Sequence, residues 1–200
     1  MFEIYLKGLL ISGGLILAIG SQNAFLLGQG LKREHHILVA TICAVSDFLL
    51  ILAGVMGLGA LIQGEPLLLS IARWGGAAYL LVFGFMSLRK VFHTEQLVAD
   101  NALKASWQKV AMATLAVTFL NPHVYLDTMI LLGGIGAQFG EQRWLFVLGA
   151  STASLLWFYG LAFGAAKLAP LVSSPKVWKV IDLLVCIAMW LIAASLILGG

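Results

Sequence analysis

Two aspartates and a group of amides stand where the surrounding residues leave little room for water. They are Asp47 in "AVSDFLLI", Asp127 in "NPHVYLD", Gln22 and Asn23 in "SQNAF", and Asn121 beside Pro122. Carboxylates neutralise cations, and carboxamides supply both hydrogen-bond donors and acceptors. Together they can hold a small zwitterion or cation away from water. An aspartate at the middle of a spanning helix costs about 2.5–3.5 kcal/mol on insertion scales, so such residues usually serve an ion or substrate path. His123 falls four residues before Asp127, which on an unbroken turn puts both side chains on one face. A histidine beside a carboxylate can carry a proton near neutral pH, so Asp47, Asp127 and His123 are candidates for proton coupling. The other reading of His123 is a side chain that satisfies backbone groups opened by Pro122.

The elements that must position these groups follow from composition. The 200 residues are 61% hydrophobic and 10% charged, with a mean hydropathy of +1.00. That profile is an all-α integral membrane protein, far from a soluble domain. A span needs about 20 apolar residues, and six runs qualify: Ile4 to Leu27, Ile37 to Leu61, Pro66 to Leu88, Val110 to Leu132, Trp144 to Leu168 and Val177 to Leu198. The third carries Arg73 and leaves open five helices with one re-entrant segment; six is the reading adopted. Only short connectors remain, so residues 1–200 form one transmembrane domain: repeat one over about 1–92, a loop over about 93–108, and repeat two over about 109–200. The first run is too long for a signal-peptide core and reads as a retained helix.

Lys and Arg favour cytoplasmic loops. Nine of them (Lys32, Arg33, Arg89, Lys90, Lys104, Lys109, Lys167, Lys176 and Lys179) fall on one side and three (Lys7, Arg73 and Arg143) on the other, which places both termini outside. The net charge of +3 is therefore mainly a topology signal, and no basic patch interleaved with aromatics points to nucleic acid. Cys43 and Cys186 fall within helices two and six and read as small apolar packing. No P-loop is present, so ATP does not drive the protein directly, and nothing calls for a cofactor or a resident metal. His35, His36 and His93 fall in charged loops and read as solvated, while Arg73 and Asp182 read as snorkelling near helix ends.

Two helices should be interrupted. Gly20, followed by Ser21, weakens the first about two thirds of the way along, and Pro122 removes its own N–H and displaces the Thr118 carbonyl in the fourth. In a bilayer, unpaired backbone groups persist only where they are buried in protein or line a wet cavity. Gln22, Asn23, Asn121 and His123 should therefore share a polar cavity. On helix two, residues 43, 46, 47, 50, 54 and 57 form a largely small and polar stripe facing the bundle; on helix five, Gly149, Ala153, Trp157, Gly160 and Gly164 form another that permits close helix approach.

The two halves also match weakly but in order. Gly20 and Ser21 fall against Asn121 and Pro122, 101 positions on; Ser46, Asp47 and Gly57 against Ala153, Ser154 and Gly164, 107 on; Pro66 and Arg73 against Pro175 and Asp182, 109 on. With three spans in each half, similar halves enter the membrane in opposite senses, as in many secondary transporters.

The blocks "SQNAFLLGQGLKREHH", "AVSDFLLI", "LAVTFLNPHVYLDTMILLGGIGAQF" and "SSPKVW" resemble the lysine exporter (LysE) family, in particular its lysine and arginine exporting branch. The similarity runs through nearly the whole chain. It implies a bacterial inner-membrane exporter of L-arginine, L-lysine or both, driven by the membrane gradient, with a three-plus-three inverted arrangement. It carries functional weight onto Gln22, Asn23, Asp47, Asn121, Pro122 and Asp127. Family members often have proline where this chain has Ser21, so the kink in helix one should rest on Gly20 and be softer.

The expected mechanism has freed N–H groups and the three amides binding the amino-acid head, with Asp47 and Asp127 meeting its cationic groups. Rocking of the halves would alternate access, by proton antiport or by uniport on the membrane potential. The alternatives are an exporter of another small amino acid, or a divalent cation transporter, since carboxylates and amides are oxygen ligands. An intramembrane aspartyl protease is the enzyme rival, but "SD" and "YLD" are not its motifs. An accessory subunit would leave the deep polar residues unexplained. A homo-oligomer is compatible with the 22 glycines.

Overall fold

The computed structural model describes residues 1–17, 20–58, 66–92, 106–172 and 175–198. Among the described residues, helices occupy part of each of the six apolar runs and no strand is found. The first run holds α1 (Phe2–Ile16) and α2 (Ser21–Lys32); α3 (His36–Ala53) continues through a π-type turn, Gly54–Leu58. Then come α4 (Pro66–Phe92) and α5 (Trp107–Phe119). Segment α6 (122–137) is built from a short turn, Pro122–Val124, a π-helical stretch, Tyr125–Leu132, and an α-helical end, Gly133–Ala137. Last are α7 (Arg143–Leu168) and α8 (Pro175–Leu198). The connector 93–105, with His93 and Lys104, lies outside the described residues, as does the side chain of Arg73.

Among the described residues, His36–Gly57 and Gly140–Leu168 are long and apolar enough to cross a bilayer as single helices. The pair α1 and α2 makes a third if counted as one bent span, and Leu80–Arg89, Tyr125–Ala137 and Asp182–Ala194 are shorter apolar helices. Large side chains such as Leu10, Leu49, Val82, Leu156 and Leu191 point outward. Lipid is the solvent that suits such a surface.

The bend between α1 and α2 is 78°. Gly20 does not act there through conformational freedom. Its φ of −105° and ψ of 175° are open to any residue, and a Cβ there would meet nothing. Gly20 serves as the extended cap of α2, and the angle is held by side-chain bonds described below.

Helix α7 runs through the centre, with α1, α2 and α3 packed along it, while α4 and α8 pair with each other. Two larger apolar blocks, with a smaller third of Leu50, Val124 and Met129, form the interior. Leu26, Val39, Cys43, Val117, Phe158 and Met189 belong to one. Ile51, Val55, Leu132, Phe146, Val147 and Ala150 belong to the other. Between them, at the same level of α3 and α7, lie the buried polar residues Ser46, Asp47, Ser151 and Ser154. The core is thus a sandwich with a polar layer, which is where a transporter keeps its site.

Two close approaches depend on glycine. A side chain at Gly149 would run into the Tyr5 carbonyl, and one at Gly8 into that of Phe146, so α1 lies on α7 backbone to backbone. A Cβ at Gly133 would stand 2.6 Å from the carbonyl carbon of Gly54, which joins α6 to the end of α3 in the same way. The stripe expected on α7 is only half right. Gly160 and Gly164 are exposed with open space beside them, because beyond Trp157 the buried face passes through Phe158, Ala162 and Ala165. The helix-two stripe is buried from Cys43 to Gly54, while Gly57 is exposed and takes a left-handed φ of 101°.

Gly149→Val should overpack the α1–α7 contact at a cost of about 1–3 kcal/mol, read as a lowered thermal-unfolding midpoint of the purified protein in detergent. Gly160→Ala should leave the midpoint where it is. Equal midpoints would refute the close backbone packing.

Candidate functional site

Each helix break leaves carbonyls at the end of one segment and N–H groups at the start of the next. Side chains answer them. Asn23 Nδ2 donates to the Ile16 carbonyl at the end of α1 (2.9 Å), and the Trp157 indole N–H from α7 donates to Asn23 Oδ1 (3.1 Å). Ser21 Oγ donates to the Val117 carbonyl of α5 (3.2 Å) and accepts from Asn121 Nδ2 (3.3 Å). Asn121 Oδ1 accepts from the His123 backbone N–H (3.2 Å), the Tyr125 hydroxyl donates to the Phe119 carbonyl (2.8 Å), and Gln22 Nε2 donates to Thr118 Oγ1 (3.0 Å). The two breaks, about a hundred residues apart in sequence, are therefore stitched to each other.

Beside this joint lies a cavity of about 310 Å³. That is near the lower end of small-molecule sites, which run from about 300 to 1,000 Å³. Gly20, Gln22 and Asn23 reach it from the first break, Asn121, His123, Asp127 and Thr128 from the second, and Asp47 from α3. Leu15, Ile16, Phe158 and Ile192 supply apolar walls. Every expected site residue with a described side chain lines this space except Ser21, which is fully buried in the joint. The backbone of Pro122 opens the second half of the broken fourth helix.

The two carboxylates differ. Asp47 is 2% exposed; its Oδ2 accepts from Ser154 Oγ at 2.7 Å, and its Oδ1 is buried without a hydrogen-bond partner. Asp127 is half-buried, and His123 lies within electrostatic reach of it from a more exposed position. His123 is among the residues that line the cavity, and its backbone N–H is satisfied by Asn121 Oδ1. The amides are less free than expected, because Gln22, Asn23 and Asn121 already bond protein groups.

Thr118, Trp157 and Ser154 are partners that sequence reasoning passed over. Ser154 was detectable, since the sequence match between the halves sets it against Asp47, 107 positions on. His36, expected in solvent, is only partly exposed: its ring meets Phe163 edge-on and its Nδ1 is buried without a partner. Among the described residues no group of three or more His, Cys, Asp or Glu is placed to hold a metal ion.

A family profile described as "LysE type translocator" matches residues 14–200. The chain is 44% identical to the arginine exporter protein ArgO of Pectobacterium carotovorum subsp. carotovorum (strain PC1), over 100% of this chain and 99% of the relative. It is 45% identical to the protein of that name from Enterobacter sp. (strain 638) and 43% identical to that of Escherichia coli (strain K12), over 100% of this chain and 96% of each relative. No solved structure matches the chain.

Ser21→Ala removes a donor and an acceptor from the joint and leaves the Val117 carbonyl short of a partner, at a cost of about 1–3 kcal/mol. Thermal unfolding should show the fall. The double variant with Asn121→Ala should fall by less than the two single falls combined, because the pair shares a bond. Strict additivity would deny the stitch between the breaks.

Proposed function

Because the chain belongs to the LysE type translocator family, we propose that it exports basic L-amino acids, L-arginine foremost and L-lysine with it, across the bacterial inner membrane. A translocator of this family is a transporter and not an enzyme. The observation that carries the substrate is the unbroken similarity to relatives named arginine exporters, which extends over the whole chain. The cavity agrees chemically. A basic amino acid brings a carboxylate and two cationic groups, and a cation leaving water needs a fixed opposite charge.

In this reading Asp47 and Asp127 meet the two cationic groups, and the start of α2 at Gly20, where N–H groups have no helical partner, faces the carboxylate. The amides of Gln22, Asn23 and Asn121 hold the broken helices in the shape that makes this possible, and exchange bonds with substrate as the joint opens. Pro122, with Gly20 and Ser21, sets where the helices break. Asp47, Asp127 and His123 are the groups through which a proton can be coupled to transport.

The six helical runs act as six spans of one domain, arranged as an inverted three-plus-three repeat. Two features support that arrangement. Asp47 and Ser154, equivalent residues 107 apart, are hydrogen-bonded to each other. Gly30 of α2 packs on Ala162 and Ala165 of α7, as Gly133 of α6 packs on Gly54 at the end of α3. Access then alternates by rocking of one half against the other, driven by the proton gradient or the membrane potential.

The test is efflux of labelled arginine and lysine from cells lacking their own exporters. The chain should export arginine, and Asp47→Asn and Asp127→Asn should each lower the rate at least about 100-fold while protein stays in the membrane, as removing a buried charge partner costs about 3–5 kcal/mol. Export by either variant at the normal rate would remove that carboxylate from the site. Absence of efflux of both amino acids would direct attention to neutral amino acids and then to divalent cations.

A further inference from the structure

We propose that Ser154 is the positioning residue of the Asp47 carboxylate: its hydroxyl holds Oδ2, so that Oδ1 is the oxygen turned to the transported cation. This rests on the exporter reading above and adds a residue on the opposite half of the chain that decides how the cation is met.

Asp47 and Ser154 are both buried, at 2% and 0% exposure, and the Oγ to Oδ2 distance of 2.7 Å is that of a hydroxyl bonded to a carboxylate. Oδ1 is buried with no partner, while Asp47 lines the cavity. A buried carboxylate oxygen without a donor is costly. An orphan of this kind beside a cavity is what a cation site looks like before its cation arrives. Without Ser154 the carboxylate plane would turn more freely about its last side-chain torsion, which is broad, and no oxygen would be held facing the cation. Gln22, whose Nε2 donates one N–H to Thr118 Oγ1 at 3.0 Å, also stands near Asp47, while the 2.7 Å bond to Oδ2 comes from Ser154 of α7.

Ser151 supplies a built-in comparison. It lies one turn earlier on α7 and is buried, but its hydroxyl has no hydrogen-bond partner. A serine that merely fills space should behave like Ser151.

The experiment is transport of labelled arginine by purified protein in lipid vesicles over a range of arginine concentrations, giving KM and Vmax for the wild type, Ser154→Ala, Ser154→Thr and Ser151→Ala. Ser154→Ala should raise KM about tenfold or more, the size expected for losing a hydrogen bond to a charged group, with a smaller change in Vmax. Ser154→Thr keeps the hydroxyl and should return KM toward the wild-type value; Ser151→Ala should leave KM unchanged. Should Ser154→Ala fail to insert, Ser154→Cys, with a weak thiol donor, replaces it with the same expected rise in KM. Wild-type transport with an unchanged KM in the Ser154 variant overturns this assignment alone. Wild-type vesicles that move no arginine overturn the exporter reading and this assignment together.

Discussion

A backbone group that loses its helical partner inside a bilayer has no water to turn to. That constraint organises this protein more than any single contact does. Two apolar runs are broken part-way along, and each break would be untenable alone. They persist because Ser21 from the first break bonds Val117 and Asn121 around the second, while Asn23 returns to Ile16 under the hold of Trp157. The deep amides that stand out in the sequence are thus structural before they are anything else. The same bonds keep a cavity open beside them, since two bent helices tied at their elbows cannot close the space that straight ones would fill.

The buried carboxylate depends on that arrangement too. Asp47 belongs to a polar layer lying between two apolar blocks, and the blocks shield it from lipid on either side. Desolvating an ion is tolerable only with partners close by. Ser154 provides one, and the cavity provides access for another. Asp127, half-exposed and near His123, occupies a wetter setting, so the two acids offer different environments within one space.

Much of this is legible in the chain itself. Hydropathy marks the six helical runs, because lipid demands long apolar stretches and little else does. Pro122 announces the second break by its chemistry, and the group from Gln22 to Asp127 converges on one cavity because polar residues at such depth have few places to go. The rest depends on rotation about helix axes and on partners distant in sequence. A count of small residues could not tell that the inward face of α7 leaves Gly160 and Gly164 outside in favour of Ala162 and Ala165. Nor could the mild-looking pair Gly20–Ser21 foretell a bend of 78°, since the bonds made beside it come from Val117 of α5 and Trp157 of α7, distant in sequence. His36 is a similar case: charged neighbours suggest water, but Phe163 of α7 covers the ring.

The glycine contacts carry a mechanical meaning. Where α6 meets the end of α3 through Gly133 and Gly54, and α1 meets α7 through Gly8 and Gly149, main chain rests on main chain. Side chains between helices act as a compliant layer, able to change rotamer and absorb a tilt. At these glycine points no such layer intervenes, so a displacement of one member bears directly on the other. Each pair thus has a point of rigid contact, one between α1 and α7 and one between α6 and the end of α3, and the two helices so braced, α7 and α3, are those that carry Ser154 and Asp47.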